Sequence, residues 1–75
     1  LLANNIAIIR KRKNITQDEL AAHIGIGRTA MSRIENGNYF PSAATMYKIS
    51  NFLNEPIGNI FYNPNIKEPN KITNN

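Results

Sequence analysis

Four side chains in one short stretch, Arg28, Thr29, Ser32 and Arg33, carry the most visible chemistry in this chain. Read as a helix over 28–35, they share one arc, and Ala30, Met31 and Ile34 share the opposite one. A guanidinium presents its N–H donors as a flat fork, and a hydroxyl both donates and accepts. Two arginines and two hydroxyls on an exposed arc match the base edges that a DNA major groove presents. Any solvated surface helix also shows a polar arc, so the reading rests on what flanks it.

Such a helix needs a partner to hold it. Gln17–Ile24 places Leu20, Ala21 and Ile24 on one face at i, i+1, i+4 spacing and reads as a second short helix. Gly25 falls where that helix must end, and glycine enters the left-handed conformation without steric cost. Ile26, the apolar residue of the Gly25-Ile26-Gly27 turn, is suited to fill the angle between the helices. Ala21 is small where they must approach. Thr16 with Glu19 three residues later forms a capping box, and Asp18 and Glu19 favour the positive end of the same helix. At these offsets the combination is a helix-turn-helix.

The rest of the chain reads as support. Leu2, Ile6 and Ile9 predict a helix over Leu2–Lys13, with Arg10-Lys11-Arg12-Lys13 at its negative end and Ile8 off the core stripe. Asn36-Gly37 stops the recognition stretch, and the loop Asn38-Tyr39-Phe40-Pro41 follows. Ser42 caps a helix over Ala43–Leu53 that turns Met46, Ile49, Ser50 and Leu53 inward. Asn54-Glu55 makes a turn, Pro56 takes the first position of a fifth helix, and Ile57, Ile60 and Phe61 complete the core. After Tyr62 the composition shifts to Asn, Pro and Lys. The expectation is therefore an all-α domain over 1–62 and an extended or disordered tail over 63–75, a short hairpin around Glu68-Pro69-Asn70 being the alternative.

Composition narrows the function classes. Seventy-five residues make one domain whose core is small, so burial in a dimer would help it. A net charge of +4 and a pI near 9.8 suit a polyanionic partner. The absence of cysteine removes disulfides and thiolate metal sites. His23, the single histidine, has no ligand partners near it in sequence and reads as a surface residue. There is no nucleophile–base pair, no paired carboxylates and no phosphate loop with lysine, so an enzyme is not expected. Nor is a metal, a cofactor or a small-molecule ligand. No run is long enough to span a membrane and no signal-peptide pattern is present, so the cytoplasm is the expected compartment.

The stretch TQDELAAHIGIGRTAMSRIENGNYFPS resembles the Cro/CI-type (XRE-like) helix-turn-helix family of phage repressors and small bacterial regulators. The matching positions are Gln17, Leu20, Ala21, Gly25, Met31, Ser32, Ile34, Glu35, Asn36, Gly37 and Pro41. Arg10, Met46–Leu53 and Pro56–Phe61 match as well, so the resemblance covers about residues 2–61. It departs at Gly27, where the family usually has a Ser or Thr cap, and at Asn38 and Tyr39, where basic residues are common.

The resemblance implies a compact five-helix, lambda-repressor-like DNA-binding domain. It implies base reading by Arg28, Thr29, Ser32 and Arg33 and DNA-backbone contacts from Gln17, Asn36, Asn38 and Tyr39. It implies an ion pair between Arg10 and Glu35, and a homodimer joined through Asn54–Phe61, with Pro56, Ile57 and Phe61 at the interface. The implied function is sequence-specific binding of double-stranded DNA by a transcriptional regulator, a repressor on an inverted-repeat operator. The alternative is an antitoxin-type module that masks a partner protein with its fourth and fifth helices or its tail.

Overall fold

A computed structural model describes residues 3–66. A two-residue strand β1 (Ala3–Asn4) precedes helices α1 (Ile6–Arg12), α2 (Gln17–Ile24), α3 (Arg28–Glu35), α4 (Ala43–Leu53) and α5 (Ile57–Ile60). A second strand β2 (Phe61–Tyr62) closes the chain back on β1. The pair is antiparallel, with Ala3 opposite Tyr62 and Asn4 opposite Phe61.

The first four helices end on a residue in the left-handed region: Asn14 (φ 60°), Gly25 (φ 88°), Gly37 (φ 79°) and Asn54 (φ 57°). Glycine and asparagine reach this region most cheaply. At the end of α3, Gly37 N–H donates to the Ile34 carbonyl (3.1 Å) and Asn38 N–H to the Arg33 carbonyl (2.9 Å). The helix starts are equally local. Thr16 accepts from Glu19 N–H while the Glu19 carboxylate accepts from Thr16 N–H. Ser42 Oγ accepts from Thr45 N–H at 3.2 Å. Gly27 starts α3 in an extended conformation with no side-chain cap.

One apolar cluster joins the helices. Ile6, Leu20, Met31, Ile49, Leu53 and Ile60 are fully buried, and Ile15, Ile26, Met46 and Phe52 pack against its edge. Each helix contributes to it, so no helix is free to turn its apolar face to water. Ile26 sits where α2 turns into α3 and is half-buried there.

Two expectations are corrected. The five expected helices are present, with a small two-strand sheet beside them, but the first begins at Ile6 rather than Leu2. Asparagine side chains compete with helical hydrogen bonding, and here Asn4 Oδ1 accepts from Ile6 N–H (3.1 Å), with Asn5 N–H bonded to the Ile60 carbonyl (2.8 Å). Ala3 and Asn4 thus join β2 instead of α1. The fifth helix likewise begins at Ile57 rather than at Pro56. Pro56, at ψ 146°, is the residue before it, and Phe61 has already entered β2. Residues 64–66 form a turn and bend; the hairpin alternative around Glu68 lies outside the described residues.

Candidate nucleic-acid interface

α3 separates its faces cleanly. Met31 (0% exposed) and Ile34 (2%) anchor it in the core. Arg28, Thr29 and Arg33 are exposed, and Ser32 and Ala30 are half-buried at the edges. The four sequence-predicted base readers therefore share a helix, with Ser32 set deeper than the other three. Arg28 Nε lies 3.5 Å from Asp18 Oδ1, but both side chains are about two-thirds exposed or more (72% and 68%). Exposed pairs of this kind contribute about 0–1 kcal/mol, so the contact leaves Arg28 able to turn outward. Among the described residues Arg33 makes no ion pair.

The far end of α3 is held from α1 and α2. Arg10 Nε donates to Glu35 Oε2 (2.9 Å) and Nη2 to Glu35 Oε1 (3.1 Å). Arg10 Nη1 donates to the Ile15 carbonyl (3.1 Å), and Gln17 Nε2 adds a bond to Glu35 Oε1 (3.1 Å). The ionic side chains are 10% and 7% exposed. A bidentate guanidinium–carboxylate pair fixes orientation as well as distance. Arg10, Gln17 and Glu35 are thus one network, which joins the first residue of α2 to the last of α3.

The remaining sequence-predicted residues surround this helix unevenly. Asn36 and Asn38 are exposed after α3, and Tyr39 is 54% exposed. A groove of about 420 Å³ flanks α3, lined by Thr29, Ala30, Arg33 and Ile34 of that helix and by Ile26, Tyr39 and Thr45. Pro56 and Ile57 are exposed at the start of α5, Ile57 at 37%. Phe61, expected at a contact between subunits, is only 7% exposed within its own chain. Pairing of β2 with β1 puts it in the core, which leaves Pro56 and Ile57 as the accessible members of that set. His23 lies on the surface, its ring stacked on Phe52 with centroids 4.0 Å apart.

Sequence reasoning missed Asn4. Its Nδ2 donates to the Ile34 carbonyl at 3.0 Å and lies 3.5 Å from the Glu35 carbonyl. The available signal was two consecutive asparagines ahead of an apolar helical stripe, a helix-start pattern rather than a helix interior.

Among the described residues no helix is long and apolar enough to cross a membrane. The profile of a family described as "Helix-turn-helix domain" matches residues 3–66. The chain is 44% identical over 45 residues to the ImmF control region 10 kDa protein of Bacillus phage phi105, covering 60% of this chain and half of that protein. It is 35% identical over 60 residues to an uncharacterized HTH-type transcriptional regulator of Methanocaldococcus jannaschii, covering 80% of this chain and 91% of that one. A crystal structure from Bacteroides fragilis, of a protein described as a candidate for DNA binding, superposes with a TM-score of 0.76 at 22% identity. It covers 83% of this chain and all of that one, a likeness of fold alone.

Proposed function

The chain belongs to the Cro/CI-type helix-turn-helix family, and on that premise we propose that it is a sequence-specific transcriptional regulator, a homodimeric repressor of the lambda-repressor-like kind. In this reading α3 enters the major groove and α2 crosses above it. Arg28, Thr29, Ser32 and Arg33 read base edges. Gln17, Asn36, Asn38 and Tyr39 hold sugar and phosphate, which sets register without reading sequence. The unit that binds DNA is residues 1–62, acting in the cytoplasm.

The observation that carries the reading is the division of α3. Arg28, Thr29 and Arg33 face solvent on a helix whose other side, Met31 and Ile34, is locked in the core. The positive charge of the chain adds a non-specific attraction to the phosphate backbone. Occupying an operator that overlaps a promoter then needs no chemistry. A two-fold pair joined through Pro56 and Ile57 would read an inverted repeat with half-sites about 34 Å apart.

The test is enrichment of bound duplexes from a randomised pool. The expected product is an inverted repeat. Recovery of unenriched sequence would overturn sequence-specific reading, and a single asymmetric motif would overturn the dimer.

A further inference from the structure

We infer that Asn4 is a positioning residue for the recognition helix, tying the backbone at the end of α3 to the strand pair that closes the chain. The inference rests on the DNA-reading role proposed for α3 and adds a residue to it.

The geometry is specific to an asparagine. Nδ2 donates to the Ile34 carbonyl (3.0 Å) and approaches that of Glu35 (3.5 Å), while Oδ1 accepts from Ile6 N–H (3.1 Å). One planar amide therefore serves the C-terminal end of α3 and the N-terminal end of α1. A carboxylate of the same shape would keep the acceptor and lose the donor, and a serine hydroxyl would be too short to reach α3. The backbone of Asn4 is held in turn, opposite Phe61 in the β1–β2 pair.

The last carbonyls of a helix have no intrahelical donors. The turn after α3 supplies Gly37 N–H to Ile34 and Asn38 N–H to Arg33. Asn4 adds a second donor to Ile34 and points toward Glu35, so it completes that end from outside the turn. Arg10 grips the same turn by the Glu35 side chain, whereas Asn4 grips it by the main chain. Arg33 immediately precedes the carbonyls that Asn4 holds, and Asn36 and Asn38 follow them. Reading side chains keep their aim only when a supporting shell fixes the backbone beneath them.

The test uses the full chain carrying Asn4→Ser, which stays neutral and so leaves the phosphate attraction unchanged. The serine hydroxyl can still cap Ile6 N–H. Two quantities are measured: amide exchange of Gly37 and Asn38 without DNA, and binding to two duplexes. The duplexes are the one the wild-type chain enriches from a random pool and its scrambled counterpart. Exchange at Gly37 and Asn38 is expected to quicken, and preference for the enriched duplex to fall about tenfold, as loss of one hydrogen bond allows. Affinity for the scrambled duplex should stay within about twofold, because phosphate contacts dominate it. Equal losses on both duplexes, or an unchanged preference, would overturn the inference. Should the wild-type chain enrich no duplex, the DNA reading fails by itself, and unaltered exchange at Gly37 and Asn38 would then also refute the hold on α3. Asn4→Asp, which retains the Ile6 acceptor, is read by the same ratio if the serine variant does not fold.

Discussion

Arg10 and Glu35 meet through two parallel bonds, Nε to Oε2 at 2.9 Å and Nη2 to Oε1 at 3.1 Å, with both side chains nearly out of solvent. The pair is a point at which α1 takes hold of α3. The desolvation of both ions offsets much of their attraction, so the intact pair contributes little net stability. Removing one partner strands the other, at about 3–5 kcal/mol. Arg10→Ala and Glu35→Ala should each destabilise the domain by about this much. The double variant should lose less than the sum of the two, which a urea-denaturation double-mutant cycle reads directly. Zero coupling would mean that the two charges act independently.

Base readers and backbone holders should fail differently. Arg33→Ala should relax preference at one base pair per half-site, by about 1–3 kcal/mol, and spare binding to unrelated sequence. Gln17→Ala should weaken all sequences alike, and because its amide also donates to Glu35 it should lower stability slightly. A panel of single-base operator variants, titrated at fixed salt against both proteins, separates the two patterns. A uniform loss for Arg33→Ala would remove it from the reading face.

The two glycines of the helix-turn-helix should respond with opposite sign. Gly25 sits at φ 88° with open space around its α-carbon, so Gly25→Ala meets backbone strain alone, about 1–2 kcal/mol. Gly27 is extended, at φ −73° and ψ 160°, and is equally uncrowded. Gly27→Ser should therefore cap α3 and gain a few tenths of a kcal/mol, roughly the margin by which serine exceeds glycine at an N-cap. Thermal melts of the two variants beside the wild type check both signs.

A dimer through the start of α5 should depend on Ile57, 37% exposed on a single chain. Ile57→Glu would bring like charges together across a two-fold contact while leaving the monomer core intact. It should abolish cooperative occupation of an inverted repeat without unfolding the chain. Sedimentation at saturation should show two proteins per operator for the wild type; one would sink the dimer.

The helix-turn-helix was legible in the residues because its boundaries are local chemistry. Thr16 and Glu19 cap each other, Gly25 and Gly37 take up left-handed turns, and Ser42 starts α4, each within a few residues of its partner. The period of α3 likewise divided Met31 and Ile34 from Arg28, Thr29 and Arg33 without knowledge of any neighbour. The tertiary structure decided what depends on residues far apart in the chain. Strands of two residues carry no readable period, and β1 and β2 exist only because opposite ends of the domain meet. Their meeting starts α1 at Ile6, draws Phe61 into the core and delivers Asn4 to the end of α3. In the run Arg10-Lys11-Arg12-Lys13, helical spacing puts Arg10 next to Ile9 at the edge of the core face, and family likeness alone paired it with Glu35. Folding buries Arg10 against Glu35 and leaves the other three exposed, because only Arg10 lies on the side of α1 that faces the end of α3.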